Sequence, residues 1–357
     1  MIRNLKIIRA ALVMLAAVAA VMILMTSCGG KDKNEVCIFC YGDYMDPQVV
    51  KIFEKETGIK VVLNTYDTVE EMYPVIKNQA GVYDVICPSD YMIERMINEG
   101  LFQKIDFDKL PNYKNIGERY RRIADQFYDP GNQYSVPYQW GIAGIMYNTE
   151  KIKKGSIKGW KDLWDKKYKG KMLMQDSLRD TLAVGLKKNG FSLNTTKESQ
   201  LKKATDDLIR QKSFVYKYAN DSARDLLIGN AADLGVVWNG EVLYSQELNK
   251  KLDFVIPEEG TEVFIDCWCI PKNARHKRNA EKWIDFTCRA DIAYKNYEYL
   301  TYSTPNEAAR KMMPKNLQNS RYLFMTDKQL KKSEVLRDLG PDGDELYSNY
   351  WKIFKSK

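Results

Sequence analysis

The sequence predicts an α/β protein built on a parallel-rich sheet. From residue 36 onward, short apolar runs of strand length alternate with stretches of helical period, the spacing of successive βα units. Several of those runs end in polar or aromatic residues, as expected where a sheet opens onto a ligand. The chain has 357 residues, 45% of them hydrophobic, with 21 Gly and 11 Pro. It carries no repeat at a period of roughly 20–50 residues, which leaves a globular chain long enough for two domains.

The first strand is expected at 36–40. Asp46 then suits a helix N-cap and Pro47 the first helical position, with Val49, Val50 and Phe53 as the apolar stripe and Gly58 as the stop. A strand is expected at 59–63. Thr68 and Glu71 have the spacing of a capping box, opening a helix that runs to Gly81, with Pro74 expected to kink it or delay it by a turn. Tyr83 to Pro88 reads as a buried strand and Met92 to Glu99 as the next helix. Further strands are expected at 173–177 and 234–238, and helices at 178–189, with Asp176 as a candidate cap, and at about 279–289.

The N-terminus reads as an address. Arg3, Lys6 and Arg9 precede an apolar run of 16 from Ala10 to Met25, and Thr26-Ser27-Cys28 follows. That order is a signal peptide, and a cysteine after small residues resembles a lipobox, cleaved before Cys28 and lipidated on its sulfur. Cleavage would leave +5 of the chain's net charge of +8, with the basic residues scattered among acids, an arrangement that disfavours nucleic-acid binding. Multi-histidine metal sites are excluded, because His276 is the one histidine and lies in a run, Arg275 to Arg278, that reads as solvated surface. Cys37 and Cys40 fall about 10 Å apart along a strand, beyond the ~7 Å Cα limit for a disulfide. All six cysteines after Cys28 are expected as buried free thiols.

Of 42 aromatic residues, 30 are Tyr or Trp. The set at strand ends includes Tyr41, Asp43, Tyr44, Ser89, Tyr91, Asp176, Asp180, Trp238, Phe264, Asp266 and Tyr302. Ring faces attract an alkylammonium by up to ~2 kcal/mol each when desolvated, and carboxylates add charge-assisted hydrogen bonds. Joint placement of rings and acids is therefore the chemistry of organic cation recognition.

The segments Tyr41-Gly42-Asp43-Tyr44, Phe53 to Val61, Tyr83 to Tyr91, Tyr134 to Gly141, Val237-Trp238-Asn239-Gly240 and Tyr302 to Asn306 occur in order. Together they resemble the bacterial spermidine/putrescine-binding proteins of ABC transporters, over residues 36 to 315. The resemblance implies a two-lobed periplasmic-binding-protein fold of type II character, with lobes joined by crossing hinge strands and ligand in the interlobe cleft. The lobes would be 36–141 with 266–310, and 142–265 with 311–357, behind a signal peptide at 1–27 and a lipidated linker at 28–35.

It also implies a polyamine site of Tyr41, Asp43, Tyr44, Ser89, Tyr91, Asp180, Trp238, Phe264, Asp266 and Tyr302. Asp180 would meet one terminal amine, Asp266 an amine near the centre and Asp43 the far end. Departures from the pattern are Tyr41 and Phe264 where tryptophan is frequent, Asp43 and Asp180 where glutamates are frequent, and Ser177 where a second acid occurs. The expected partners are a polyamine, an ABC permease and, through the lipid, a membrane; no cofactor, metal or nucleic acid is expected, and the protein is expected to be a monomer.

The alternatives are a binding protein for another solute, with Arg179 as the nearby candidate for a ligand carboxylate, and a sensing or interaction lipoprotein. A glycosidase-like pair of Asp176 and Asp180 is disfavoured, since four residues apart at a helix start they share one face. Asp342-Gly343-Asp344-Glu345 reads as a turn rather than a calcium loop.

Overall fold

A computed structural model describes residues 34–42, 44–79, 81–220 and 222–357. The signal peptide at 1–27, lipidation at Cys28 and the role of Asp43 lie outside the described residues. Nine strands are described: β1 (Glu35–Tyr41), β2 (Lys60–Tyr66), β3 (Val85–Ile86), β4 (Ser135–Asn148), β5 (Met172–Met174), β6 (Val215–Tyr218), β7 (Leu234–Trp238), β8 (Leu252–Val255) and β9 (Val263–Cys269). Their order is β2-β1-β3-β9-β4-β7-β5-β6, with β8 also paired to β4.

The sheet is mixed rather than parallel-rich. β1 with β3, and β5 with β6 and β7, are parallel, but every described pairing of β4 and β9 is antiparallel. β4 is the reason. All 14 of its residues are buried, so no alternation of polar and apolar residues reveals how it pairs. Its first half pairs with β9, from Ser135 opposite Cys269 to Ile142 opposite Val263, and its second half with β7 and β8. The register shifts between Pro137 and Gln139, an irregularity that accommodates a proline lacking an N–H to donate.

Two apolar cores form in the body Val36–Lys357. Val136, Tyr138, Trp140, Ile142 and Met146 of β4 face one, together with Phe53, Trp268 and Trp283. Ala143, Ile145 and Tyr147 face the other, with Trp160, Leu186 and Tyr347. The start of β4 is anchored by Asp129, which is fully buried and accepts hydrogen bonds from the amides of Gln133, Tyr134 and Ser135 and from the Ser135 hydroxyl at 2.7–3.0 Å.

The helix Pro47–Thr57 forms as its sequence predicts: Asp46 Oδ1 accepts from the Gln48 amide at 2.8 Å, and Gly58 closes the end at φ 67°. Loss of that cap in Asp46→Ala is expected to cost about 1 kcal/mol, a fall of about 2 °C in melting temperature by calorimetry. Thr68 caps the next helix, Val69–Asn78, but Pro74 neither delays it nor stops it, and the helix ends three residues before Gly81. Between Tyr83 and Pro88 only Val85–Ile86 is strand.

Four further expectations are corrected. Asp176 is not a cap: Ser177 occupies the N-cap of Leu178–Lys188, and Asp176 pairs with Lys355 at 2.7 Å. Residues 342–345 form no turn but lie in the helix Gly340–Ser356, where Asp344 pairs with Arg95. His276 is half-buried rather than solvated, its Nδ1 2.9 Å from the buried Asp84 carboxylate, which also accepts from the Cys37 and His276 amides. Cys40, Cys87, Cys267, Cys269 and Cys288 are buried free thiols, but Cys37 is half-buried.

Candidate ligand-binding site

The site assembles where strand ends meet β9. β1 ends at Tyr41 and Tyr44 follows it, Ser89 lies beyond β3, and Trp238 closes β7. β9 contributes Phe264 and Asp266, which share one face by strand alternation. A bridge between Ser89 and Asp266 fixes the approach of the loop after β3 to β9. The register then decides the rest: Gln139 lies opposite Asp266, Gly141 opposite Phe264 and Ala143 opposite Trp238. Trp238 and Phe264 are thereby brought to the two edges of the same stretch of β4.

Asp266 is 4% exposed. It accepts from Ser89 Oγ at 2.5 Å and from the Tyr44 hydroxyl, while the Tyr41 hydroxyl shares a hydrogen bond with Ser89 Oγ at 2.9 Å. Burial pushes its carboxyl up to about 6, against the opposing effect of those two donors. Burial and the nearby Asp266 charge also raise the Tyr41 and Tyr44 phenols well above their usual range, so both stay neutral donors.

Five half-buried rings continue from this carboxylate: Tyr41 to Tyr44 at 5.2 Å between centroids, Tyr44 to Tyr302 at 6.4 Å, Tyr302 to Phe264 at 6.5 Å and Phe264 to Trp238 at 5.0 Å. Two glycines make room for them. A Cβ at Gly141 would stand 2.5 Å from the Phe264 ring and 2.6 Å from Asn239 Oδ1, and one at Gly240 would stand 2.4 Å from the Tyr302 ring. Asn239, fully buried, holds the segment by accepting from the Ile142 amide and donating to the Tyr322 carbonyl, both at 2.9 Å.

Sequence reasoning thus selected Tyr41, Tyr44, Ser89, Trp238, Phe264, Asp266 and Tyr302, and the structure brings all seven together. Tyr91 and Asp180 are not members of that row, though Tyr91 lies close enough to Tyr41 to feel its charge. The Tyr91 hydroxyl donates to Glu70 at 2.6 Å and its ring lies under the Arg179 guanidinium at 5.7 Å. Asp180 lies within hydrogen-bonding reach of Glu262, and the two line a common cavity.

Two acids were missed. Glu241 accepts from the Tyr302 hydroxyl at 2.8 Å and pairs with Arg224, orienting that ring. Glu262 precedes Phe264 by two and Asp266 by four residues, so the alternation Glu262-Val263-Phe264-Ile265-Asp266 was the available signal. Among the described residues, no group of three or more His, Cys, Asp or Glu side chains is arranged to hold a metal ion.

A mixed sheet carried through by β4, with a row of rings leading to a buried carboxylate at the strand ends, is an arrangement suited to holding a solute. Residues 48–321 match the bacterial extracellular solute-binding protein family, and the chain belongs to it. It is 34% identical over 343 residues to the spermidine/putrescine-binding periplasmic protein of Salmonella typhimurium, covering 96% of this chain and 97% of that one. The protein of the same description from Escherichia coli K12 is 33% identical over the same shares. Among solved structures, the spermidine/putrescine ABC transporter substrate-binding protein PotD of Streptococcus pneumoniae superposes with a TM-score of 0.80 at 32% identity, over 90% of this chain and 98% of that one. Members of the family bind solutes for transport.

Proposed function

We propose that this chain captures polyamines, spermidine or putrescine, outside the cytoplasm and delivers them to an ABC-transporter permease. One observation carries the reading. Asp266 is a buried carboxylate that receives only hydroxyl hydrogen bonds, with no lysine or arginine of the described residues acting on it, and it faces a row of five half-buried rings. A desolvated carboxylate without a cation costs several kcal/mol, and an ammonium ligand supplies the missing charge while ring faces take its methylenes. The relatives named above as spermidine/putrescine-binding proteins point the same way.

Asp266 would hold an amine near the middle of the ligand, Asp180 a terminal one and Asp43 the far end. Tyr41, Tyr44, Trp238, Phe264 and Tyr302 would enclose the chain, with Ser89 and Tyr91 completing the wall. Contacts from 36–141 with 266–310 on one side, and from 142–265 with 311–357 on the other, would favour a closed state about β4 and β9. Lipid on Cys28, after removal of 1–27, would keep the monomer at the membrane beside its permease. A ligand carboxylate would need a free guanidinium, and Arg179 directs its terminal nitrogens to the Arg337 carbonyl and Asn194 at 3.4 and 3.1 Å.

Titration calorimetry and melting of the purified protein with putrescine, spermidine, amino-acid and sugar sets test this. Polyamine at 100 times its dissociation constant is expected to stabilise the fold by about 2.7 kcal/mol. Polyamine silence beside a response to another set would overturn it.

A further inference from the structure

An exposed basic run lies beside the start of β1. Residues 272–282 hold Lys272, Arg275, Lys277, Arg278 and Lys282 against one acid, Glu281. Lys272, Arg275, Arg278 and Lys282 are exposed, and among the described residues none of these four forms an ion pair. Glu281 is buried and occupied by Lys109 and Lys277, each at 3.6 Å. The fold gains little from the arrangement. Lys277 and Arg278 stand in the first turn of the helix Lys277–Thr287, which has no acid there, and cations at that end oppose the helix dipole. Unpaired charge kept where it weakens its own helix calls for an anionic partner outside the chain.

The start of β1 decides which partner. The Cys37 amide and His276 Nδ1 both meet Asp84 Oδ2 at 2.9 Å, which holds the two within about 6 Å of each other. The His276 amide donates to Asp84 Oδ1 and the Lys272 amide to the Leu101 carbonyl, so the segment 272–276 is pinned to the body at both ends. Eight residues separate Cys28 from Val36, at most about 28 Å of extended chain. An anchor on Cys28 therefore keeps this face within one short tether of lipid headgroups, where each Lys or Arg is worth roughly fivefold in partition to an anionic surface. Charge alone does not choose the face. Residues 151–171 hold nine lysines against two acids, but Ile152, Ile157 and Trp160 pack that segment into the second core, whereas Val36, Ile38 and Ile284 place β1 and the helix of the basic run in the first.

We infer that the run 272–282 is a membrane-contact surface, its exposed Lys and Arg side chains resting on the anionic phospholipid headgroups of the bilayer that holds the anchor. The assignment rests on the reading that Cys28 carries lipid. It gives the tethered body a fixed resting face on the membrane.

The test is amine footprinting of the lipidated protein in detergent, on preformed vesicles of phosphatidylcholine, and on vesicles containing about 30% phosphatidylglycerol. Mass spectrometry reads the labelling rate of each lysine, and the N-terminal peptide reports the lipid on Cys28. On the anionic vesicles Lys272 and Lys282 are expected to label at least about fivefold more slowly than in detergent, and the exposed Lys158, Lys161 and Lys169 at an unchanged rate. About 500 mM salt is expected to abolish the difference. Arg275→Gln combined with Arg278→Gln, both at exposed positions, is expected to restore fast labelling of Lys272 and Lys282 with no change in melting temperature. A lipidated protein whose Lys272 and Lys282 label as fast on anionic vesicles as in detergent overturns the inference alone. So do equal protection on phosphatidylcholine, protection of the 151–171 lysines instead, or protection that survives in the double variant. Protection on whole cells but not on vesicles replaces the lipid surface with an acidic protein face and overturns it too. A chain without lipid on Cys28 overturns the anchor reading and this inference with it.

Discussion

Asp266→Asn is expected to weaken polyamine binding by at least 100-fold while leaving the unliganded protein as stable as wild type or more so. The two effects have one cause. Asp266 is the buried acid to which Ser89 and Tyr44 donate, and removing one member of a buried, hydrogen-bonded charge pair costs about 2–5 kcal/mol of binding. Without ligand, the same charge is a burden. Its carboxyl stands at about 6 in the folded chain against 3.8 as the reference, so the folded state holds more protons between those values. Stability is therefore present in full below pH 3.8 and is lost as pH rises through 6, by up to about 3 kcal/mol. The asparagine removes that cost. Calorimetry at pH 7.5 on both proteins checks the pair of outcomes, and D266N binding spermidine as wild type does would remove Asp266 from the site.

The same linkage fixes the sign for binding. The ammonium stays charged across this range, so wild-type affinity should be flat above pH 7 and fall by up to tenfold per unit below pH 6, as Asp266 takes up the proton that ligand must displace. D266N should lose that slope, which separates the effect of Asp266 from any general acid instability.

Local chemistry was what the sequence disclosed well. Asp46-Pro47 and Gly58 bracket a helix because capping and a left-handed stop need only neighbouring residues. The strand-end rings were legible because their order along the chain matches a family pattern. What escaped depends on residues distant in sequence. Gly340-Pro341-Asp342 has turn chemistry, yet proline is equally suited to the first turn of a helix, where its missing N–H has no partner to lose, and Arg95 meets Asp344 from 249 positions away. His276 lies in a basic run, and only the fold brings the buried Asp84 to it. Glu262 shows the limit most clearly. Its alternation with Phe264 and Asp266 is written in the sequence, but the acid reads as solvent-facing until β9 is known to be covered, with Asp180 beside it.

Trp238→Ala is expected to weaken polyamine binding by about 30-fold with little change in unliganded stability. The indole is half-buried at the end of β7 and meets Phe264 edge to face at 5.0 Å and 83°. It closes the row of rings that leads through Phe264, Tyr302 and Tyr44 toward Asp266. A desolvated ammonium over an indole gains up to ~2 kcal/mol, about 30-fold in affinity at 1.4 kcal/mol per decade. The fold depends less on this ring because the neighbouring Asn239, rather than Trp238, ties the segment to Ile142 and Tyr322. Trp238→Phe should recover a large part of the loss, since a ring face remains, though a weaker one. Titration calorimetry with spermidine on the three proteins gives the order wild type, W238F, W238A. A W238A protein that binds within twofold of wild type would mean that the methylenes and charge are held by Tyr41, Tyr44 and Tyr302 alone, and the ligand would then lie toward β1 rather than along β9.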